Sequence, residues 1–462
     1  MTAERAELHP RKGLEIDQER MGTELFWKNA KFLLQVRDRM NNPEASEDDL
    51  KGMIIENLRN YCGLPSCEED GSDPKKDYET YEACIAASTK ELASYAEAML
   101  VGDIAQRTGL TNELTGVMDP AELTDILVTT DDQRVRFEAR RALHLGALFF
   151  EFEKRYGTER EILKTLQAIE IYLDAMILTP GKEIDAILYH KIKDEPSGRI
   201  IPSSIRIPAF GGGQNRRKPG ENKVMLTFRE ALSDDSAKRP IHVVEKERVK
   251  SRFSALLKAI RSKRPIGSLK DVIALACYVD NAETELEDFV ALLDTHFTSD
   301  PQDRDKHRLF GGEEEHENGH SAKEFSMEKL IVEWDTQMLL DNRIAVDMAL
   351  SHFFGTKRNQ DAFWQRAEEM AGKKIPIELQ VGTLRDLVDN SLSGGDANHA
   401  IYKARQAGDV FEGDARNVLE MLFPQDLYGI NFRSQVIYEA LKQKQLAGLG
   451  LNKDILERFI ED

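Results

Sequence analysis

The spacing of hydrophobic residues along the chain changes at about residue 180. Before this point apolar residues recur three and four positions apart, as in 131–177, which is typical of amphipathic helices. After it, short apolar runs stand between turn residues. The clearest run, Ile377 to Thr383, alternates apolar and polar residues as a strand with one buried face does. We therefore predict an all-α N-terminal domain at 1–180 and strands in the chain that follows.

Composition suggests the remaining boundaries. Residues 181–221 hold a triple glycine and repeated prolines, which is typical of a linker. A second folded domain is predicted at 222–408, and a small helical segment at 409–462. Within the N-terminal domain Leu145 to Phe152 is predicted to lie in the core, and His144 beside it is predicted to be a core histidine rather than a metal ligand.

The stretch from Ile241 to Val279 contains two β-branched runs with a short helix between them. Ser251 is the predicted N-cap of this helix, and Arg248 and Lys250 come just before it. Free backbone N–H groups, the positive end of the helix dipole and fixed cations would therefore meet at one point, which suits a phosphate chain. A solvated basic helix face is the alternative interpretation of the same residues.

The overall charge restricts the partners. The 462 residues are 41% hydrophobic, enough for packed cores, and carry a net charge of −19, which argues against DNA as a partner. We find no apolar run long enough for a membrane span and no signal sequence, so we expect a cytoplasmic protein. The cysteines lack the spacing of a zinc site and are predicted to be reduced thiols.

One motif in the central stretch resembles a known family. The order R-x-K-S-x-x-S-x-x-x-K, followed by an aspartate before a hydrophobic strand, is similar to the synthetase domain of RelA/SpoT-type alarmone synthetases. The matching residues are Arg248, Lys250, Ser251, Ser254, Lys258 and Asp271. The resemblance implies that the first five bind the phosphates of ATP and that Asp271 binds Mg²⁺.

Three later segments continue the resemblance in family order: Phe325 to Trp334, IELQVGT at 377–383, and 398–403, which resembles the family's H-x-x-Y-K helix. IELQVGT resembles the family's E-x-Q-I-R-T strand, which implies that Glu378 acts with Asp271 in catalysis and metal binding. The segment from Phe325 to Trp334 is either the strand on which the family stacks guanine or the start of a helix. The residues that the resemblance assigns to the acceptor nucleotide are Phe325, Gln380, His399, Tyr402 and Lys403.

The departures from the family pattern leave more than one function open. Ala276 and Gly382 stand where the family has arginines, and Ala274 replaces a glycine. The chain also has no His-Asp dipeptide, so we predict that it lacks the hydrolase module found in some members. The alternatives are an active enzyme with a changed acceptor, an inactive nucleotide-sensing or protein-interaction module, and a nucleotidyltransferase that acts on RNA.

The fold that the resemblance implies is α+β, with a nucleotidyltransferase-like mixed sheet of about five strands flanked by helices, behind the all-α domain. The implied reaction is transfer of pyrophosphate from ATP to the 3′-hydroxyl of GDP, GTP or a related acceptor, with Mg²⁺ as cofactor. The N-terminal helices are expected to bind a regulatory partner or a second copy of the chain.

Overall fold

The computed structural model describes residues 36, 38–42, 46–100, 102–179, 182–189, 193–194, 199–200, 204–206, 221–231, 241–262, 266–279, 285–297, 305–307, 327–354, 356–384, 386–387 and 417–431. The protein is a mixed α and β protein, as predicted. It divides into two compact units, which we call the helical unit (1–157, 251–269 and 407–450) and the sheet unit (158–250, 270–406 and 451–462).

Helices occupy the described chain up to Met176, six strands follow from Lys182 to Val249, and strands and helices are mixed in the described residues after that. The helices are α1 (Glu47–Tyr61), α2 (Cys67–Asp70), α3 (Pro74–Met99), α4 (Gly102–Arg107), α5 (Pro120–Thr129), α6 (Gln133–Tyr156), α7 (Glu159–Met176), α8 (Arg252–Ser262), α9 (Glu285–His296), α10 (Gln337–Asp341), α11 (Arg343–Phe353), α12 (Lys357–Glu369), α13 (Asn417–Leu422) and α14 (Gln425–Tyr428). The strands are β1 (Lys182–Tyr189), β2 (Lys193–Asp194), β3 (Arg199–Ile200), β4 (Ser204–Arg206), β5 (Glu221–Glu230), β6 (His242–Val249), β7 (Ile273–Val279), β8 (Asp305–His307), β9 (Met327–Asp335) and β10 (Lys374–Thr383).

The helical unit is built around the long helices α3 and α6. Each begins at an aspartate whose carboxylate accepts a backbone N–H bond, Asp73 for α3 and Asp132 for α6. The two helices approach closely at Gly146, where any side chain would collide with Ile85. Helix α6 ends at Gly157, which has a φ of +91°. The stretch 131–177, predicted to be helical, contains the two helices α6 and α7.

The predicted core of this unit is confirmed. The aromatic rings of the segment 145–152 are fully buried, and they are Phe149, Phe150 and Phe152. His144 is only 3% exposed, and its Nδ1 lies 2.7 Å from the hydroxyl of Tyr61. Burial, with a smaller effect from Arg140, lowers the pKa of His144 to about 3. The four cysteines are also buried, as thiols.

Burial of His144 predicts a pH dependence of stability. The native imidazole stays neutral while the unfolded one is protonated below its ordinary pKa near 6.5, so stability is lost as pH falls from about 6.5 toward 3. The loss approaches ~1.4 kcal/mol per pH unit. Urea unfolding followed by circular dichroism should show this slope in the wild type and a shallower one in His144→Gln. An equal slope in the two proteins would contradict the prediction, and His296→Gln, at a half-buried site, is the matched control.

The sheet unit contains an eight-stranded sheet in the order β4-β1-β5-β6-β7-β10-β9-β8. All neighbouring strands are antiparallel except β7 and β10, which are parallel. The strands β2 and β3 form a separate hairpin. About five strands were predicted, and the described part of the sheet has eight.

The extra strands come partly from the predicted linker. Residues 182–189 form β1, which pairs with β5 along its whole length. The alternation of Glu183, Ile184, Asp185 and Ala186 followed by an apolar run is a strand signal, but the prolines and glycines downstream outweigh it in the sequence pattern. The prolines of that stretch follow β1 and lie outside the described residues.

One face of the central strands is apolar. The inward residues of β10 are all buried, and they are Ile375, Ile377, Leu379 and Val381. On β9, Trp334 is fully buried against the rings of Tyr172 from α7, at 5.5 Å between centroids, and of Phe297, which follows α9, at 6.5 Å. The segment from Phe325 to Trp334 is thus a strand from Met327 onward, and helices cover its apolar face.

This aromatic cluster should dominate the stability of the sheet unit. We expect Trp334→Ala to reduce the free energy of unfolding by about 3–5 kcal/mol, because it leaves a large cavity among rings that cannot collapse fully. A decrease in the urea midpoint measures the effect. The neighbouring Glu333→Gln, on the exposed face of the same strand, should change the free energy by less than about 1 kcal/mol. Similar midpoints for the two variants would contradict this packing.

Candidate functional site

The candidate residues fall into three parts, and the first is the arm, residues 251–269 of the helical unit, which joins β6 to β7 along the chain and carries α8. Ser251 caps α8 as predicted, since its Oγ accepts the N–H of Ser254 at 3.2 Å. The hydroxyl of Ser251 also donates to that of Ser254 at 2.9 Å, and both side chains are exposed. Lys258 is half-buried one turn further along. The arm therefore presents two hydroxyl groups at the first turn of a helix, with a lysine on the next.

The second part lies at the end of β6. The backbone N–H of Lys250 donates to the carbonyl of Val272 at 2.9 Å and so continues the pairing of β6 with β7. The amine of Lys250 forms an ion pair with Asp271. The side chains are only 11% and 17% exposed, so solvent screens the pair weakly. The lysine assigned to phosphate and the aspartate assigned to Mg²⁺ are thus each other's partners.

The third part is the polar face of β10. Glu378 is 5% exposed although it points away from the apolar face. Its Oε1 accepts a hydrogen bond from the side-chain amide of Gln380, and its Oε2 lies 3.0 Å from the amine of Lys329 on β9. A buried carboxylate needs such partners, because desolvation of an unpaired charge is very costly.

Lys329 is the residue that sequence reasoning missed. It occupies the polar face of β9, opposite Gln380 and diagonal to Glu378. The signal was present, because Leu330, Val332 and Trp334 alternate with polar or half-buried residues. The residue that pairs with Lys329 depends on which strand lies beside β9. The sequence pattern does not show that this strand is β10.

The register of the sheet relates these residues to one another. Ala274 on β7 pairs with Arg248 of β6 on one side and with Glu378 of β10 on the other. Ala276 pairs in the same way with Gln380. Ala274 and Ala276 therefore lie beside the candidate carboxylate and amide. Each adds only a methyl group to this face of the sheet.

The two candidate metal ligands are separated along the sheet. Glu378 is level with Ala274, three residues beyond Asp271, so strand geometry puts the two Cα atoms roughly 11 Å apart. Asp271 is paired with Lys250, which follows β6, and Glu378 with Lys329 of β9. The described residues contain no group of three or more metal-binding side chains. A metal bound by both carboxylates stays a prediction, and it requires both lysine pairs to open.

Eight of the twelve predicted site residues lie within the described part of the chain. Phe325, His399, Tyr402 and Lys403 lie outside the described residues. The residues that the structure does place are Arg248, Lys250, Asp271, Glu378 and Gln380 in the sheet unit, and Ser251, Ser254 and Lys258 in the helical unit.

Comparison of the chain with protein-family models, with curated proteins and with solved structures found no match in any of the three. Among the described residues, no helix is both long and apolar enough to cross a membrane.

The pairing of Lys329 with Glu378 predicts a non-additive effect on stability. Lys329→Met should reduce the free energy of unfolding by about 3 kcal/mol, because it leaves a buried carboxylate without its cation. Adding Glu378→Gln should recover most of that loss, since the buried charge is then gone. Urea unfolding of the two single variants and the double variant measures the coupling. Strictly additive losses would show that the two side chains are independent.

Proposed function

We propose that this chain transfers pyrophosphate from ATP to the 3′-hydroxyl of a guanosine nucleotide or a related acceptor, using a RelA/SpoT-like synthetase domain with a nucleotidyltransferase-like sheet. The observation that carries the proposal is the register across β6, β7 and β10. It aligns Arg248 and the buried carboxylate of Glu378 on either side of Ala274. These residues come from separate motifs of the family resemblance.

The reaction can be written with every atom accounted for. The acceptor hydroxyl oxygen forms a bond to the β-phosphorus of ATP, and the bond from that phosphorus to the oxygen bridging to the α-phosphate breaks. AMP leaves, and the proton of the hydroxyl passes to a base, for which Glu378 is the candidate. Lys250, Ser251, Ser254 and Lys258 would bind the donor phosphates, since such transfer asks a protein mainly to position reactants and neutralise charge.

The carboxylates Asp271 and Glu378 fit Mg²⁺ by their ligand chemistry. Magnesium prefers hard oxygen ligands and usually combines one or two carboxylates with phosphate oxygens. When bound, the ion supplies positive charge at those phosphate oxygens. Lys250 and Lys329 neutralise the same two carboxylates in the described structure. The lysines would then exchange a carboxylate partner for a phosphate one.

A second candidate function is nucleotide binding without transfer. It is favoured by Ala276 and Gly382, which lack the cations that the family carries at these positions. For the alternative that acts on RNA, tRNA would be the acceptor in place of a free nucleotide.

Formation of AMP tests transfer directly. ATP labelled at the α-phosphate, with Mg²⁺ and a panel of GDP, GTP, ADP, AMP and tRNA, should yield labelled AMP only when the right acceptor is present. Glu378→Gln should lower the rate by about 100-fold or more, as expected for loss of a general base. The control is Glu333→Gln, which changes an exposed carboxylate on β9. Acceptor-dependent AMP formation that persists in Glu378→Gln would refute the assigned base, and ATP binding without AMP formation would favour the sensor.

Binding of ATP tests the phosphate residues separately from chemistry. A charge-assisted contact contributes ~1.5–3 kcal/mol, so Lys258→Ala and Lys250→Ala should each weaken ATP binding about ten-fold or more. Titration calorimetry gives the dissociation constants. Lys374→Ala is the matched control, because that lysine is exposed on β10 and pairs with Glu333. Unchanged affinity in both test variants would exclude this site.

A further inference from the structure

The arm is anchored to helix α6 at its far end. The N–H of Gly267 donates to the carboxylate of Glu151 at 2.9 Å. The hydroxyl of Tyr156 donates to the carbonyl of Leu269, and the carbonyl oxygen of Ile266 lies 3.3 Å from the same hydroxyl. Residues 266–269 are thus fixed by two side chains from the last turns of α6, and all these groups belong to the helical unit.

The near end of the arm is anchored by Arg252, the first residue of α8. Its guanidinium forms an ion pair with Glu153 of α6 and lies 4.0 Å from the carboxylate of Glu91 on α3. It also lies over the ring of Phe149, at 5.1 Å from the centroid. Arg252 is 23% exposed, so most of the group is out of water. Both ends of the arm are therefore held by α6.

This arrangement is unusual for a cation at the start of a helix. The positive end of the helix dipole disfavours a guanidinium there, whereas the carboxylates of Glu153 and Glu91 compensate for it. The planar guanidinium can pair with a carboxylate and stack on a ring at the same time. These contacts hold Arg252 in one orientation. Because Arg252 lies between Ser251 and Ser254 in the sequence, they also hold the helical turn that carries the two serines.

Resting on the proposed function, we infer that Arg252 is a positioning residue: its ion pair with Glu153 holds the first turn of α8 so that Ser251 and Ser254 can meet the donor phosphates. Helix α6 would then influence the affinity for ATP by holding α8, although the residues of α6 need not touch the nucleotide.

A direct role for Arg252 in phosphate binding predicts the opposite response at Glu153. If Arg252 itself bound phosphate, removing its carboxylate partner would leave ATP affinity unchanged or increase it. If it positions α8, Glu153→Gln should weaken ATP binding as Arg252→Gln does. The variant of the partner residue therefore separates the two roles.

The experiment uses the full chain and two measurements. Arg252→Gln and Glu153→Gln should each raise the KM for ATP about ten-fold, the effect of losing one charge-assisted contact, and leave kcat within about two-fold. Amide hydrogen exchange of 252–262 without nucleotide should become faster in both. Arg39→Gln, which removes an exposed pair with Asp49, is the control and should change neither. The swapped double variant Arg252→Glu with Glu153→Arg should recover part of both losses.

Two results would overturn the inference: unchanged exchange in α8, or a KM for ATP in Glu153→Gln equal to that of the wild type. If Arg252→Gln does not fold, Arg252→Lys, which keeps the charge but loses the planar fork, decides by the same criteria. Failure of the proposed function is separate. If the wild-type protein neither binds ATP nor forms AMP, the proposed function is refuted, and so is the proposal that Arg252 affects phosphate binding. The exchange data still decide whether Arg252 anchors α8.

Discussion

Parallel pairing of β7 with β10 is the constraint on which the sheet unit depends. Parallel neighbours require a long connection, and the chain from Val279 to Lys374 provides it and adds β9 on the far side of β10. The register puts Glu378 level with Ala274 and its apolar neighbours on the helix-covered face. A slip by one residue would turn that carboxylate into the apolar core, at a cost of several kcal/mol.

A contribution to stability does not explain why the sheet unit has two weakly exposed ion pairs. The two pairs are Lys329 with Glu378 and Lys250 with Asp271, and in each pair at least one side chain is largely buried. Such pairs commonly stabilise a protein no more than well-packed apolar side chains of the same volume would, because desolvation offsets their attraction. Four ionisable groups kept at adjacent strands therefore favour a binding role. Phosphate and a metal ion would exchange with these partners without leaving a charge uncompensated.

Local pattern is enough to predict part of this structure. Ser251 is recognisable as a cap and β10 as a strand because both signals lie within a few consecutive residues. Two features cannot be predicted in this way. Lys329 becomes the partner of Glu378 only through the order of the strands, and β1 is hidden by the prolines that follow it. Contacts between segments distant in sequence depend on register, which period-2 alternation leaves open.

The contacts of the arm likewise join segments that are distant in the sequence. In the sequence Arg252 is one residue of a basic helix, and its partners come from α3 and α6, far earlier in the chain. Nothing in the local pattern indicates these pairings, because Glu153 and Glu91 are ordinary helix-surface residues by their spacing. Their role follows from where α8 packs in the helical unit.

The most direct measurement is a crystal structure of the full chain with Mg²⁺ and α,β-methylene-ATP, in which the bond that must break cannot be cleaved. The account predicts the triphosphate at Ser251 and Lys258, Lys250 moved from Asp271 to a phosphate oxygen, and one metal ion bound by Asp271 and Glu378 at about 2.1 Å. A triphosphate bound elsewhere, with the pair of Lys250 and Asp271 still intact, would contradict it.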